Sequence, residues 1–347
     1  MKSSGGGKPN RITIRDVAAD ADVSVAAVSK VLREAYGVSP SMRSKVHLSM
    51  AKLGYRPHTA ARGMRGQTFT LGLVLPDIRN PFFADIITGF QQGLEGTQYQ
   101  ALIGINKATP IVDEGLVDSM IDRQMDGLLI VGATSQDQLA EIAQRKPLVT
   151  IGNHDADNQF YDTVNNDDEK AARLAVRHLV DNGYRNITML SLISDSTIIK
   201  ERERGYQDEM NRLGLGRFAH IVFADQTLPE VHKAAHGILS DPDRPEAIFC
   251  WTDFIALQVI GVATELGLRI PDELAIVGHD NTMYCDFGQN SLTSVDQSGN
   301  LLGLEASRLL IERIKGRQLP EHYIVSPRLA VRKSSRRRAM SLSGAAS

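Results

Sequence analysis

The sequence predicts an α/β protein with a small N-terminal head of three helices followed by a core of two parallel α/β subdomains. Three observations predict it. Apolar residues recur at helical spacing up to about residue 54, whereas from Phe69 onward short apolar runs alternate with amphipathic stretches, the pattern of parallel sheets covered on both faces. Charge divides at the same place: residues 1–67 carry 12 Lys+Arg against 4 Asp+Glu, net +8, and the rest of the chain 27 against 37, net −10. A basic head suits a polyanion, and an acidic remainder avoids clinging to it. Finally, 347 residues with 42% hydrophobic content can bury enough surface for two or three domains.

In the head, "ITIRDVAADADVSVAAVSKVL" reads as two short helices and a tight turn. Thr13 followed by Asp16 is a capping-box start, and Val17, Ala18 and Ala21 form an inward stripe. Ser24 can cap the second helix, whose Val28, Val31 and Leu32 return an apolar face to the first. A third helix starts with Ser39 as cap and Pro40 at its first position and runs to Gly54. Three helices around one apolar knot follow the helix-turn-helix plan, and Arg11, Arg15, Lys30, Arg33, Arg43, Lys45 and Arg56 place cations where phosphate contacts would be needed.

"TIRDVAADADVSVAAVSKVL", "VSPSMRSKV" and "LGYRPHTAARGMRG" resemble the DNA-binding head and hinge of the LacI/GalR family of bacterial transcription regulators, and the resemblance continues to about residue 334. It implies that the helix after Ser24 lies in the major groove of double-stranded operator DNA, with Val25, Ala26 and Lys30 at the specificity positions. Val25 and Ala26 could read only thymine methyls or shape, whereas Lys30 can reach guanine acceptors. Arg15, Ser24 and Ser29 are the expected phosphate contacts. The resemblance further implies a hinge helix near residues 58–65 that pairs with its twin in the minor groove, with DNA contacts from His58, Ala61, Arg62, Met64 and Arg65. Met64 stands where the family usually has a leucine wedge. Gly63 costs such a helix roughly 1 kcal/mol against alanine.

The core strands are read from "FTLGLVLPD", "QALIGIN", "GLLIVG", "PLVTIGN", "NITMLSL", "AHIVFAD", "AIFCWTD" and "LAIVGHD". The two runs part near "FYDTVNNDD", and the chain is read as crossing back near "SVDQSGN" and "SPRLAV". This is a periplasmic-binding-protein-like plan with the ligand between subdomains, outside the carboxyl ends of the strands. The expected organisation is a tail at 1–10, a helix-turn-helix domain at 11–57, a hinge at 58–68, a core at 69–334 and a tail at 335–347. Within the core, the first subdomain takes about 69–165 and 298–327, and the second about 166–297 and 328–334.

At the strand ends Asn80 can hydrogen-bond, Phe82 can offer an apolar face to a sugar ring while Phe83 faces the core, and Asn153, Trp251, Thr252 and Asp280 follow at later ends. Asp253 reads more readily as a helix cap than as a ligand contact. "RERGY" matches the family's Arg-x-x-Gly-aromatic motif, so the resemblance makes Arg202 and Asp280 the groups that grip effector hydroxyls or carboxylates. Trp251 and Thr252 depart from the family's usual "AND", and "DSTIIKERERGY" is faintly similar to a gluconate-responsive branch.

No phosphate loop, dinucleotide fingerprint, nucleophile elbow or HExxH motif occurs. His279 and Asp280 are adjacent, so on a strand end they point apart rather than form a catalytic pair. No reaction, cofactor or metal is expected. Cys250 and Cys285 read as core residues, as expected of a reducing compartment. No apolar run reaches about 18 residues, and the start has no signal-peptide core, so a cytoplasmic protein is expected. The expected function is that of a homodimeric, sequence-specific repressor controlled by a sugar or sugar-acid effector. Two rivals stand beside it: a sugar-binding receptor of the same core fold, and a sugar-modifying enzyme with a DNA-binding head. The tail "RKSSRRRAMSLSGAAS" has no leucine heptads and predicts no four-chain coiled coil.

Overall fold

The computed structural model describes residues 12–32, 35–55, 67–106, 112–225, 227–288 and 291–337. The chain divides into two compact units, Met1–Thr68 and Phe69–Ser347. The first unit holds α1 (Ile14–Asp20), α2 (Val25–Leu32) and α3 (Pro40–Leu53). Each start is set by a side chain: the Thr13 amide donates to Asp16 at 2.6 Å, and the Ser24 and Ser39 hydroxyls accept from Ala27 and Met42. Gly54, at φ +64, ends α3, and the next amide, of Tyr55, returns to the Met50 carbonyl at 2.9 Å, the left-handed closure that glycine tolerates best. Val17, Ala18, Ala21, Val28, Val31 and Val46 bury together beneath the three helices.

The second unit contains β1 (Thr70–Leu75), α4 (Pro81–Leu94), β2 (Gln100–Ile105), α5 (Glu114–Asp122), β3 (Gly127–Val131), α6 (Gln136–Arg145), β4 (Leu148–Ile151) and β5 (Asp162–Asn166). After these come α7 (Asp168–Asp181), β6 (Ile187–Leu192), α8 (Thr197–Arg212), β7 (Ala219–Ala224), α9 (Leu228–Ser240), β8 (Ala247–Cys250), α10 (Asp253–Glu265) and β9 (Ala275–His279). The chain ends with β10 (Thr293–Asp296), α11 (Gly299–Ile314), β11 (His322–Val325) and β12 (Arg328–Ala330).

Two six-stranded sheets result, in the orders β11-β5-β4-β3-β1-β2 and β12-β10-β9-β8-β6-β7. All pairings are parallel except β10 with β12. The chain passes from one sheet to the other after β5, after β10 and after β11. Helices cover both faces of each sheet: α4 and α11 against α5 and α6 on the first, α9 and α10 against α7 and α8 on the second.

Two sequence expectations change here. "FYDTVNNDD" is where the chain leaves the first sheet, but Asp162–Asn166 within it form β5, a fully buried strand outside the expected set. Its polar side chains lack an apolar pattern because they bond inward: Asp162 holds Arg313 and Arg317, at 3.0 and 2.7 Å, and Asn165 Oδ1 accepts from the Gly152 and Asn153 amides. The tail expected from residue 335 also begins inside the fold. Ser334 donates to the Ile276 carbonyl, and Ser335 bonds Thr293 and His178.

Candidate functional site

On the head, Arg15, Ser24, Val25, Ala26 and Lys30 are all exposed, and Val25, Ala26 and Lys30 share the side of α2 that turns away from Val28 and Val31. Ser29 does not join them. It is 7% exposed, so although helical spacing sets it between Val25 and Ala26, its side chain has little surface to give a phosphate. His58, Ala61, Arg62, Met64 and Arg65 lie outside the described residues.

In the core, the carboxyl ends of the two sheets meet in a polar layer. Asn80 caps α4 through its side-chain oxygen, which accepts from the Phe82 amide, and its Nδ2 donates 2.9 Å across to Asp280 Oδ2. Asp280 Oδ1 accepts from Gln297 Nε2 at 2.6 Å, and Gln297 Oε1 accepts from Asn166 Nδ2 at 2.9 Å and Arg202 Nη2 at 3.3 Å. Arg202 is 4% exposed. Its Nε donates to Asp168 Oδ1 at 2.7 Å and its Nη1 to the Trp251 carbonyl at 3.0 Å, and the guanidinium carbon lies 4.0 Å from the centre of the Trp251 ring. This is cation–π geometry. His154 lies between two carboxylates, with Nε2 3.1 Å from Asp168 and Nδ1 3.3 Å from Glu201.

Asp253 anchors the layer from behind. It accepts from the Thr282 amide and hydroxyl, the Ser294 hydroxyl and the Cys285 thiol, at 2.5 to 3.1 Å. That grip fixes the loop in which Asp280 (φ +116) and Asn281 (φ +52) take left-handed backbone conformations, which cost non-glycine residues energy and need such support.

Asn80, Arg202, Trp251 and Asp280 therefore come together, and three expectations are corrected. Phe82 is buried in the first sheet's core, its ring edge against Gly299, so it offers no face to a ligand, while Phe83 is only partly buried. Asn153 spends its side chain on the Thr134 amide and the Gly132 carbonyl, both at 2.8 Å, tying two loops of one subdomain. Thr252, not Asp253, caps α10 by accepting from the Ile255 amide at 3.3 Å, which leaves Asp253 free to turn inward. Asp168, Gln297, Asn166, His154 and Glu201 were missed. For Asp168, Asn166 and Gln297 the signal was the polar stretches "NNDD" and "VDQS", whose carboxyl-end position becomes plain once β5 and β10 count as strands.

Burial pushes the Asp280 carboxyl up to about 7, and the charge of Asp253 adds to the shift. Burial alone would lower His154, but the Asp168 hydrogen bond and the Asp168 and Glu201 charges raise it above 6.5. Burial raises Asp168 too, yet Arg202 and His154 bring it below the usual carboxylate value. His279 faces the cluster under α7 and α8, and burial, then Arg202, keeps it neutral.

Asp280 holds a proton that the unfolded chain releases near 3.8, so stability falls as pH rises between the two values and then levels off. The contribution of His154 is complete below 6.5 and is lost as pH climbs through its raised folded value. Both act in one direction. The thermal midpoint is expected to fall between pH 5 and 8, and Asp280→Asn to flatten that slope in a pH series of melts, each kcal/mol being worth about 2–4 °C. An unchanged slope would assign the dependence to other groups.

His154, Asp168 and Glu201 bring ligand atoms within 4.8 Å of one another. Arg202 already engages Asp168, and both imidazole nitrogens face carboxylates, so protein cations balance the cluster and no metal is assigned. Among the described residues, no helix is long and apolar enough to cross a membrane.

Comparison with known proteins agrees with both halves of this description. A profile described as "Bacterial regulatory proteins, lacI family" matches residues 13–58, and "Periplasmic binding protein-like domain" matches residues 176–335. Catabolite control protein A of Priestia megaterium is 32% identical over 331 residues, covering 94% of this chain and 99% of that protein. The HTH-type transcriptional repressor CytR of Escherichia coli K12 is 30% identical, covering 88% and 91%. Among solved structures, the transcriptional regulator CelR in complex with cellobiose aligns with a TM-score of 0.68 at 27% identity, covering 93% of this chain and all of that one. The Lac repressor dimer bound to operator and an anti-inducer aligns at 0.84 and 22% identity, covering 94% and 100%, and supports the fold. With a helix-turn-helix head, a two-sheet core and whole-length relatives that are repressors rather than enzymes, this chain belongs to the LacI family of bacterial transcriptional repressors.

Proposed function

We propose that this repressor binds a pseudo-palindromic operator as a homodimer, reads it through Val25, Ala26 and Lys30 of α2, and responds to a sugar or sugar-acid effector held between the core subdomains. The observation that carries the effector reading is the polar layer itself. Asn80 from one sheet and Asp280, Arg202 and Trp251 from the other converge at the carboxyl ends of the strands, where open α/β sheets bind ligands.

A ligand that exchanges its hydroxyls for the Asn80–Asp280 bond changes how the subdomains are held. The residue 58–68 segment, with Met64 as wedge, then passes the change to the operator. Effector and operator must alter each other's affinity by one common factor, typically about 1–3 kcal/mol. The CelR relative carries cellobiose, which supports a carbohydrate over other small molecules.

The test is operator affinity, measured by fluorescence anisotropy, across sugars and sugar acids; a shift in affinity supports the reading, and turnover of any ligand would favour an enzyme. On the DNA side, Lys30→Ala is expected to relax base preference more than Arg15→Ala, since a lost base contact is worth about 1–3 kcal/mol of discrimination. Selection from random DNA checks this, and equal profiles for the two variants would remove Lys30 from base reading.

A further inference from the structure

The polar layer carries its own charge balance. Arg202 and His154 supply two cations, and Asp168 and Glu201 two carboxylates, each in contact with a partner. Among the described residues, Arg202 is the only arginine or lysine in the hydrogen-bonded layer that joins Asn80, Asp280, Gln297 and Asn166, and its Nε is spent on a carboxylate that is itself 2% exposed. A carboxylate arriving here finds that charge already neutralised.

Hydrogen-bond direction points the same way. Arginine only donates, so the Gln297 oxygen faces Arg202 and its Nε2 faces Asp280. The Asn166 amide must then present Nδ2 to Gln297 Oε1. That leaves Asn166 Oδ1 buried and without a partner, an acceptor that calls for a donor. A hydroxyl supplies one and an ionised carboxylate does not.

We propose that Asp168 sets the charge of the effector: by neutralising Arg202 it makes the cleft a site for an uncharged polyhydroxylated molecule and excludes sugar acids. This rests on the cleft being the effector site. Asp168 acts through Arg202 and is a positioning residue.

Trp251 is the only tryptophan in the chain, and its ring lies 4.0 Å from the Arg202 guanidinium, so its emission reports on that charge. The full-length protein is titrated with acetate and with gluconate at constant ionic strength, as wild type, Asp168→Asn and Asp168→Glu, with melting curves confirming folding. Asp168→Asn is expected to gain a saturable Trp251 response to these anions, at least tenfold tighter than any in wild type, while Asp168→Glu behaves as wild type. A wild-type response as tight as that of Asp168→Asn, or no gain in the folded Asp168→Asn protein, overturns the proposal. The sugar screen on operator affinity is read separately. If no sugar or sugar acid moves operator affinity, the effector reading fails, while the anion titration still decides what Asp168 does.

Discussion

Replacing Gly303 with leucine is expected to unfold the core unit or cost it more than about 4–5 kcal/mol in urea denaturation, the range in which a single substitution is exceptional. A Cβ at Gly303 would overlap the Ile86 carbonyl oxygen and lie 2.7 Å from the Phe90 amide nitrogen. Those atoms are backbone of α4, so no rotamer change clears them. Gly89 meets the Asn300 backbone of α11 in the same way, and the two helices touch main chain to main chain over the first sheet. Added volume must push them apart and open the cluster of Phe82, Ile86, Phe90, Leu302, Ala306 and Leu309. Gly237, in the last turn of α9, has nothing within 4 Å of where a Cβ would stand. Gly237→Ala is therefore expected to stabilise by up to about 1 kcal/mol, and equal behaviour of the two sites would show that the close approach is not what constrains Gly303.

Arg202→Met is expected to cost about 3–5 kcal/mol, because it leaves a buried carboxylate without its main partner. The double change Arg202→Met with Asp168→Asn is expected to cost less than the single one, since the stranded charge disappears with its partner. A double-mutant cycle from urea curves measures the coupling, and additive losses would show that the pair is not energetically linked. His154 stays bonded to Asp168 and softens the single loss. Substituting methionine rather than alanine keeps volume beside Trp251, so the change reports charge more than packing.

Where local chemistry decides structure, the sequence was legible. Ser24, Ser39, Pro40 and Gly54 announce the head helices because each satisfies or closes a helix end within a few residues, and the apolar strands announce themselves because a parallel strand is buried on both faces. Legibility ended where distant partners decide. Asp162 and Asn166 look like loop residues until Arg313, Arg317 and Gln297 are brought to them from more than 100 positions away. Phe82 looked like a sugar platform because nothing local shows that Gly299 leaves room for its ring. Asn153 looked available because its backbone partners come from a neighbouring loop. The two effector residues placed first, Arg202 and Asp280, do lie in one hydrogen-bonded layer, joined through Gln297, but Asp168, the residue that sets Arg202's electrostatics, sits in the stretch read as a boundary.

The three passages of the chain between the sheets also bear on biosynthesis. The first sheet takes its edge strand from His322–Val325 and a covering helix from Gly299–Ile314, while the second takes Thr293–Asp296, Arg328–Ala330 and the pinning serines 334 and 335. Neither half can be finished while the ribosome is still making the other. A fragment ending near residue 166 would expose the β5 edge and the apolar face of α4, so the two halves must mature together, late, and as one unit.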